Sequence, residues 1–251
     1  MSDSNFSHAL VVGASSGIGE ALARRLAADG TRVALVARRE DELRRIMDEI
    51  NDSAGEERAI AVAHDVRVAD EAQDLVQEIA RRLGGLDLVI YAAGSMPEVA
   101  IDEYDTAKDR EMLEVNLFGA VAWLNPVADR MARLGRGTIV GIGSVAGDRG
   151  RAPNPVYCTS KARFHADLES LRNRVDQLGV KVVTIKPGFV DTAMTRGIEG
   201  LFWVISADRA ATIILKKARS GAVSAYVPAR WRLVMTVVRS IPSFIFSKLG
   251  F

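Results

Sequence analysis

The sequence predicts one α/β domain, a doubly wound parallel sheet with helices on both faces, and three observations carry that prediction. Short apolar runs alternate with longer amphipathic segments through most of the chain, which is the rhythm of strands joined by crossover helices. The first apolar run leads directly into a glycine-rich turn, Gly13-Ala14-Ser15-Ser16-Gly17-Ile18-Gly19. Finally, 251 residues at 48% hydrophobic content are enough for one large core of this class, and no repeat, low-complexity tract or linker divides them.

In order, His8 to Val12 reads as the first strand, the glycines as the turn, and Glu20 to Ala28 as the first helix. Glycines let backbone come close to a pyrophosphate, and the following helix presents unpaired N–H groups and a positive dipole end to it. The second strand, Arg32 to Ala37, ends in Arg38-Arg39, where an NAD-type site carries an acidic residue for the ribose hydroxyls. Arg38 suits a 2′-phosphate and therefore NADP(H), whereas Arg39 fits better as the basic start of a solvated helix, Glu40 to Asn51. A third strand, Ala59 to Ala63, runs into His64-Asp65-Val66. A helix from Ala69 to Leu83 and a strand from Leu86 to Tyr91 follow, entering Ala92-Ala93-Gly94.

A long helical region, Thr106 to Leu134, contains Asn116 in the apolar setting Val115-Asn116-Leu117-Phe118-Gly119. A buried amide there requires hydrogen-bond partners, so Asn116 is either a helix-distorting structural residue or part of a site. Strand Gly137 to Ile142, helix Val156 to Leu178 and strand Lys181 to Lys186 come next. Pro187-Gly188 stops that strand and Phe189-Val190-Asp191-Thr192 follows.

The chemistry-bearing stretch is Ser144 to Lys161. Tyr157 and Lys161 are four apart at the start of a helix and share one face. An ammonium beside a phenol favours the phenolate, which fits the phenol for acid–base work. Ser144 lies just past a buried strand, where α/β proteins place their chemistry. The bland reading is an ordinary serine loop followed by a helix. The single cysteine, Cys158, excludes a disulfide framework and reads as a packed residue or a modifiable thiol, and the three histidines are too scattered to hold a metal. A reducing cytoplasm fits, and the N-terminus shows no secretory pattern.

With these residues in place the chain resembles the short-chain dehydrogenase/reductase family over about residues 7 to 228, which implies a Rossmann-type fold. Five signals fall in that family's order: Gly13-x-x-x-Gly17-Ile18-Gly19, Ala92-Ala93-Gly94, Asn116, Ser144 with Tyr157-x-x-x-Lys161, and Pro187-Gly188-x-Val190-x-Thr192. The resemblance implies that Tyr157 moves the proton to or from the reacting oxygen while Ser144 hydrogen-bonds that oxygen. Lys161 would lower the Tyr157 pKa and hold the nicotinamide ribose, and Asn116 would anchor a water relay to Lys161. Gly13, Ser15, Gly17, Ile18 and Gly19 would line the pyrophosphate and adenosine side, with Ala93 and Gly94 also at the cofactor. Arg38 would meet the 2′-phosphate and Asp65 and Val66 the adenine, while Pro187, Gly188, Val190 and Thr192 would lie at the nicotinamide. A homodimer or homotetramer is also implied. Two positions depart from the pattern: Val12 replaces a threonine before the first glycine and Tyr91-Ala92 replaces an asparagine pair, so repacked support is expected at both.

Activity is thus expected on a ketone and its secondary alcohol, with NADPH as reductant; the alternative is a non-catalytic NADP(H)-binding sensor or scaffold. Residues 193 to 205, with Phe202-Trp203, read either as an apolar lid over the substrate or as a short helix packed on the sheet. Arg149 and Arg151 either meet an anionic substrate or are solvated. No acidic residue follows Asp208, while residues 209 to 251 hold eight basic ones, so the overall charge of +1 conceals −7 before them. Beyond a domain covering 1–228, residues 229–251 therefore form a cationic, apolar tail. It is too short to span a bilayer and packs on the domain, on a partner subunit or on an anionic membrane face, which would place the protein on the inner side of the membrane. Aromatics embedded in aliphatic sequence argue against nucleic acid. The tail, with Tyr226-Val227-Pro228-Ala229, also looks like the end of decaprenylphosphoryl-2-keto-pentose reductases, which would make the substrate a lipid-linked ketosugar.

Overall fold

The computed structural model describes residues 6–249; the expected end of the tail, residues 250–251, and residues 1–5 lie outside the described residues. Strands β1 (His8–Val12), β2 (Arg32–Ala37), β3 (Ala59–Ala63), β4 (Leu88–Tyr91), β5 (Gly137–Ile142), β6 (Val180–Pro187) and β9 (Ser224–Val227) form one sheet. Their order is β3-β2-β1-β4-β5-β6-β9, and every pairing is parallel. A minor two-strand pair, β7 (Val190–Asp191) and β8 (Ile205–Ser206), stands apart.

The apolar strands are continuous rather than alternating because both faces are covered. Along β1, Ala9 and Val11 face the core beneath α1 (Gly17–Ala28), α2 (Glu40–Ala54) and α7 (Ala207–Arg219). Leu10 and Val12 face the opposite core, built with α3 (Ala72–Leu83), α5 (Gly119–Leu134) and α6 (Pro155–Val175). The chain winds outward from β1 to β3, then crosses back to β4 and winds the other way. The C-terminal ends of β1 and β4 therefore flank a crevice, the place where open α/β sheets bind ligands.

Four differences from the expected elements have physical causes. The long helical region is α4 (Thr106–Leu113) and α5 joined through a π-helical turn, Glu114–Phe118, a shift in hydrogen bonding that side-chain periodicity does not reveal. The helix expected to start at Ala69 begins with a 3₁₀ turn, Ala69–Glu71, and α6 ends at Val175 with another, Asp176–Leu178. The seventh strand, β9, has no counterpart in the sequence reading, since its exposed Ser224 and half-buried Tyr226 break the continuous apolar run that marks the other strands. Past it, α8 (Trp231–Ser240) and α9 (Ser243–Phe246) make up the tail. One face of α8 packs on the domain: Trp231 and Met235 are buried against Val145, with Phe189 and Tyr226 alongside. Its other face leaves Leu233 and Val237 exposed.

Candidate active site

The crevice is a cavity of about 580 Å³ lined by the segments that leave β1 to β6. Gly13 and Gly17 have φ of +92° and +56°, a region costly for other residues. A Cβ at Gly13 would collide with the Ala93 backbone, and one at Gly17 would meet the Thr192 side chain at 3.0 Å. The turn is thereby seated between the ends of β4 and β6. Ser16, the N-cap of α1, makes no side-chain cap bond, so the N–H groups of the first turn lack that partner while Gly17, Ile18 and Gly19 line the cavity. Arg38 and Arg39 also line it. Open helix N–H groups at a glycine turn fit the pyrophosphate of a dinucleotide.

The sequence assigned Arg39 to helix α2, yet its Nη2 donates to the Ser15 carbonyl at 3.1 Å and to Ser15 Oγ at 3.0 Å. It braces the glycine turn beside Arg38. Asp65, expected next to the adenine, does not line the cavity. Arg67 takes its carboxylate at 2.6 Å and holds its pKa below the usual range; Val66, expected beside the adenine as well, does line the cavity. Ala93, Gly94, Pro187, Gly188, Val190 and Thr192 all line it as expected.

Ser144, Tyr157 and Lys161 converge on one wall. Ser144 Oγ accepts the Ala146 N–H at 3.1 Å and neighbours the Tyr157 phenol. Burial pushes the Tyr157 pKa up, and the Ser144 hydroxyl and the Arg151 charge oppose it. The tuning expected from Lys161 is thus not the one this geometry shows: Nζ lies 5.8 Å from the Tyr157 ring centroid and donates to the Ile142 carbonyl at 3.1 Å. Burial lowers the pKa of Lys161 itself to about 8.

Asn116 is fully buried at the centre of the π turn. Its Oδ1 accepts the Ser95 N–H at 2.7 Å, and Nδ2 donates to the Ser95 carbonyl at 2.9 Å and to Ser160 Oγ at 3.0 Å. A Cβ on Gly94 would sit 3.5 Å from Asn116 Oδ1 and 3.6 Å from Lys161 Nζ. Asn116 therefore sits at the centre of the distortion and behind Gly94 rather than on the cavity surface; its side chain is filled by protein partners, so an anchored water would need another atom of the residue. The departure at Tyr91 is repacked: its hydroxyl donates to the Val115 carbonyl at 2.6 Å, fastening the π turn to β4. Val12 is simply buried in the core.

Beneath Ser144 lies a polar layer that the motifs did not reveal. The Ser144 N–H donates to His165 Nε2 at 3.4 Å, and His165, its pKa lowered to about 3 mainly by burial, stays neutral. Its Nδ1 faces Asp148 Oδ1 at 3.8 Å. Asp148 accepts from Lys186 Nζ and from the Tyr226 hydroxyl, both at 2.6 Å. One signal was present in the sequence: Tyr157, Lys161 and His165 follow each other at four-residue steps on one helix face.

Comparison with known proteins agrees with this geometry. The family model for short chain dehydrogenase matches residues 7–200. The chain belongs to that short-chain dehydrogenase family. An uncharacterized oxidoreductase of Staphylococcus epidermidis is 35% identical over 191 residues, 76% of this chain and 81% of that protein. One from Staphylococcus aureus is 32% identical over 74% and 79% of the two chains. Among solved structures, a short-chain dehydrogenase from Sphingobium yanoikuyae in complex with NADPH superposes with TM-score 0.82 at 23% identity, over 95% and 97%. A variant actinorhodin polyketide ketoreductase with NADPH gives 0.78 at 28%, over 88% and 94%. This short-chain dehydrogenase is thus an NAD(P)-binding oxidoreductase of the type that acts on CH–OH groups. No helix among its described residues is long and apolar enough to cross a membrane.

Proposed function

We propose that the protein reduces a ketone to a secondary alcohol with NADPH, taking the proton from Tyr157. The observation that carries this reading is the convergence of Ser144, Tyr157 and Lys161 on the cavity whose other end is lined by the glycine turn, Arg38 and Arg39. Two arginines in place of a ribose-binding acid favour the 2′-phosphate, and NADPH-bound structural neighbours support that choice. The nicotinamide, when bound, supplies the hydride.

The chain's own residues supply the rest. Tyr157, its pKa raised by burial, is protonated before the reaction and so holds the proton that the substrate oxygen receives. As the proton leaves Oη for the substrate oxygen, the Ser144 hydroxyl stabilises the developing phenolate, and Lys161 and Arg151 add positive charge nearby. Ser144 Oγ already accepts the Ala146 N–H, so its own proton is free to point at oxygen. On the segment from Met194 to Leu201, which forms no helix, Met194, Ile198 and Leu201 line the substrate end with apolar side chains beside Thr195 and Glu199. An apolar or amphiphilic ketone therefore fits, and a polyprenyl-phosphate ketosugar is its narrowest form. The exposed apolar face of α8, with Arg232, Arg239 and Lys248 and no acid near it in sequence, suits an anionic bilayer. Phe118 is 62% exposed at the π turn and suits a subunit contact.

The test is an NADPH-oxidation screen of soluble ketones beside a polyprenyl-phosphate ketosugar, with and without anionic vesicles. At least one ketone should be reduced faster with NADPH than with NADH, and Tyr157→Phe should lower turnover by at least about a hundredfold while NADPH binding persists. A panel with no turnover, or full activity in the variant, defeats the proposal.

A further inference from the structure

The loop joining Ser144 to Tyr157 carries two arginines, and the fold sends them opposite ways. Arg149 turns outward: its Nη1 donates to the Val238 and Ile241 carbonyls at 2.7 and 2.6 Å, capping the C-terminal end of α8, where a cation belongs. Its guanidinium lies 4.1 Å over the Phe246 ring. Arg151 turns inward and lines the cavity. No ion pair or hydrogen bond engages its side chain among the described residues, and its Nε is buried without a partner. Asn154, three residues on, holds a left-handed φ of +52° and likewise buries Oδ1 unpartnered.

We propose that Arg151 is the subsite for an acidic group of the substrate, so that the molecule reduced is an amphiphilic anion. This rests on the reductase reading above and narrows its substrate class. A guanidinium offers five donors in a planar fork that matches a carboxylate or phosphate in two-point contact. Leaving its buried donor unmade is costly, and the cavity is where a partner can reach it. Its charge is close enough to Tyr157 to oppose the effect of burial on the phenol, so an anion held there lies near the proton donor and not at the far arginines, Arg38 and Arg39. Met96, Val145, Phe189, Met194, Ile198 and Leu201 give the lining an apolar part that suits the uncharged part of the ligand.

One rival arrangement uses the same residue. Glu199 also lines the cavity, on the segment that covers it, and an Arg151–Glu199 pair would be a latch rather than a ligand site. Titration calorimetry of the full chain, with and without NADP⁺, using octanoate, octyl phosphate and octanamide as probes, separates the two without turnover. A charged probe should bind at least about tenfold more tightly than octanamide, a difference of about 1.4 kcal/mol. Arg151→Leu should erase the difference, Arg151→Lys should keep part of it, and Glu199→Gln should leave or strengthen it. The tighter of the two anions tells carboxylate from phosphate. Equal binding of charged and neutral probes, a preference surviving in Arg151→Leu, an equal loss in Glu199→Gln, or no binding by any probe overturns the proposal. A protein that binds octanoate through Arg151 yet oxidises NADPH with no ketone keeps the subsite and loses the reductase reading.

Discussion

On the catalytic side of the cleft, Asn116 uses both polar atoms on Ser95 and Ser160, His165 meets the Ser144 N–H, and Asp148 is closed by Lys186 and Tyr226. Across from it the covering segment is held differently. Phe189, Phe202, Trp203 and Trp231 meet ring to ring with centroids 5.2 to 6.0 Å apart, and on the loop between Ser144 and Tyr157, which also lines the cavity, Arg151 and Asn154 bury polar atoms with no partner. The contrast separates two tasks. Proton transfer gains from groups fixed before the substrate arrives, and the side chains packed behind Ser144, Tyr157 and Lys161 are held by protein partners. Recognition gains from donors left for a ligand and from aromatic surfaces that tolerate small shifts.

The comparison breaks first at Asn116. Asn116→Ala leaves the Ser95 amide and carbonyl without their side-chain partners in a fully buried turn. At about 1–3 kcal/mol for a buried polar group stripped of its partner, the variant should lose about 3 kcal/mol of unfolding free energy in denaturant titration. A loss below about 1 kcal/mol would show that the π turn is held by Tyr91 and packing instead.

Lys161 sharpens the comparison through opposite responses to pH. Burial brings its pKa from 10.5 down to about 8, so the folded state favours the neutral amine. Its penalty on stability is full below pH 8 and is relieved as pH rises from 8 toward 10.5. Cofactor binding has the other sign, because the ribose contact implied by the family uses the ammonium. The dissociation constant for NADPH should therefore rise above pH 8, approaching about tenfold per pH unit, while the contribution of Lys161 to stability increases. A flat affinity between pH 7 and 9.5 would remove the ammonium from the binding step.

The cofactor side was legible in the sequence because its residue types are chemically forced. Gly13 and Gly17 need positive φ, and Tyr157 and Lys161 share a helix face at fixed spacing, so spacing alone placed them together. The first six strands of the sheet could be read because burial on both faces makes them continuously apolar. Features that depend on distant segments could not. The Asp148 layer draws on the ends of β5, β6 and β9 and on α6; Arg39 bends back from α2 to Ser15; and Arg149 parts from Arg151 only because α8 returns to cover one of them. The tail's docking is of the same kind. Trp231 occupies space that only Gly188 leaves open, since a Cβ there would collide with its indole nitrogen, and nothing in either local sequence announces the fit.

Trp203 sets the smallest effect and tests the covering segment directly. It is 43% exposed and its φ of +56° is a genuine outlier for a bulky side chain. The Arg230 guanidinium lies 4.8 Å from its ring and donates to its carbonyl at 3.2 Å. Trp203→Ala removes exposed ring contacts but leaves the carbonyl bond and the backbone conformation in place, so stability should change by about 1 kcal/mol or less. Trp203→Gly relieves the backbone as well, since glycine tolerates positive φ, and should unfold at a higher denaturant concentration than the alanine variant. Matching midpoints for the two variants would mean that the strain is not stored at Trp203. If instead both lost as much stability as Asn116→Ala, the covering segment would be as much a part of the core as the catalytic side.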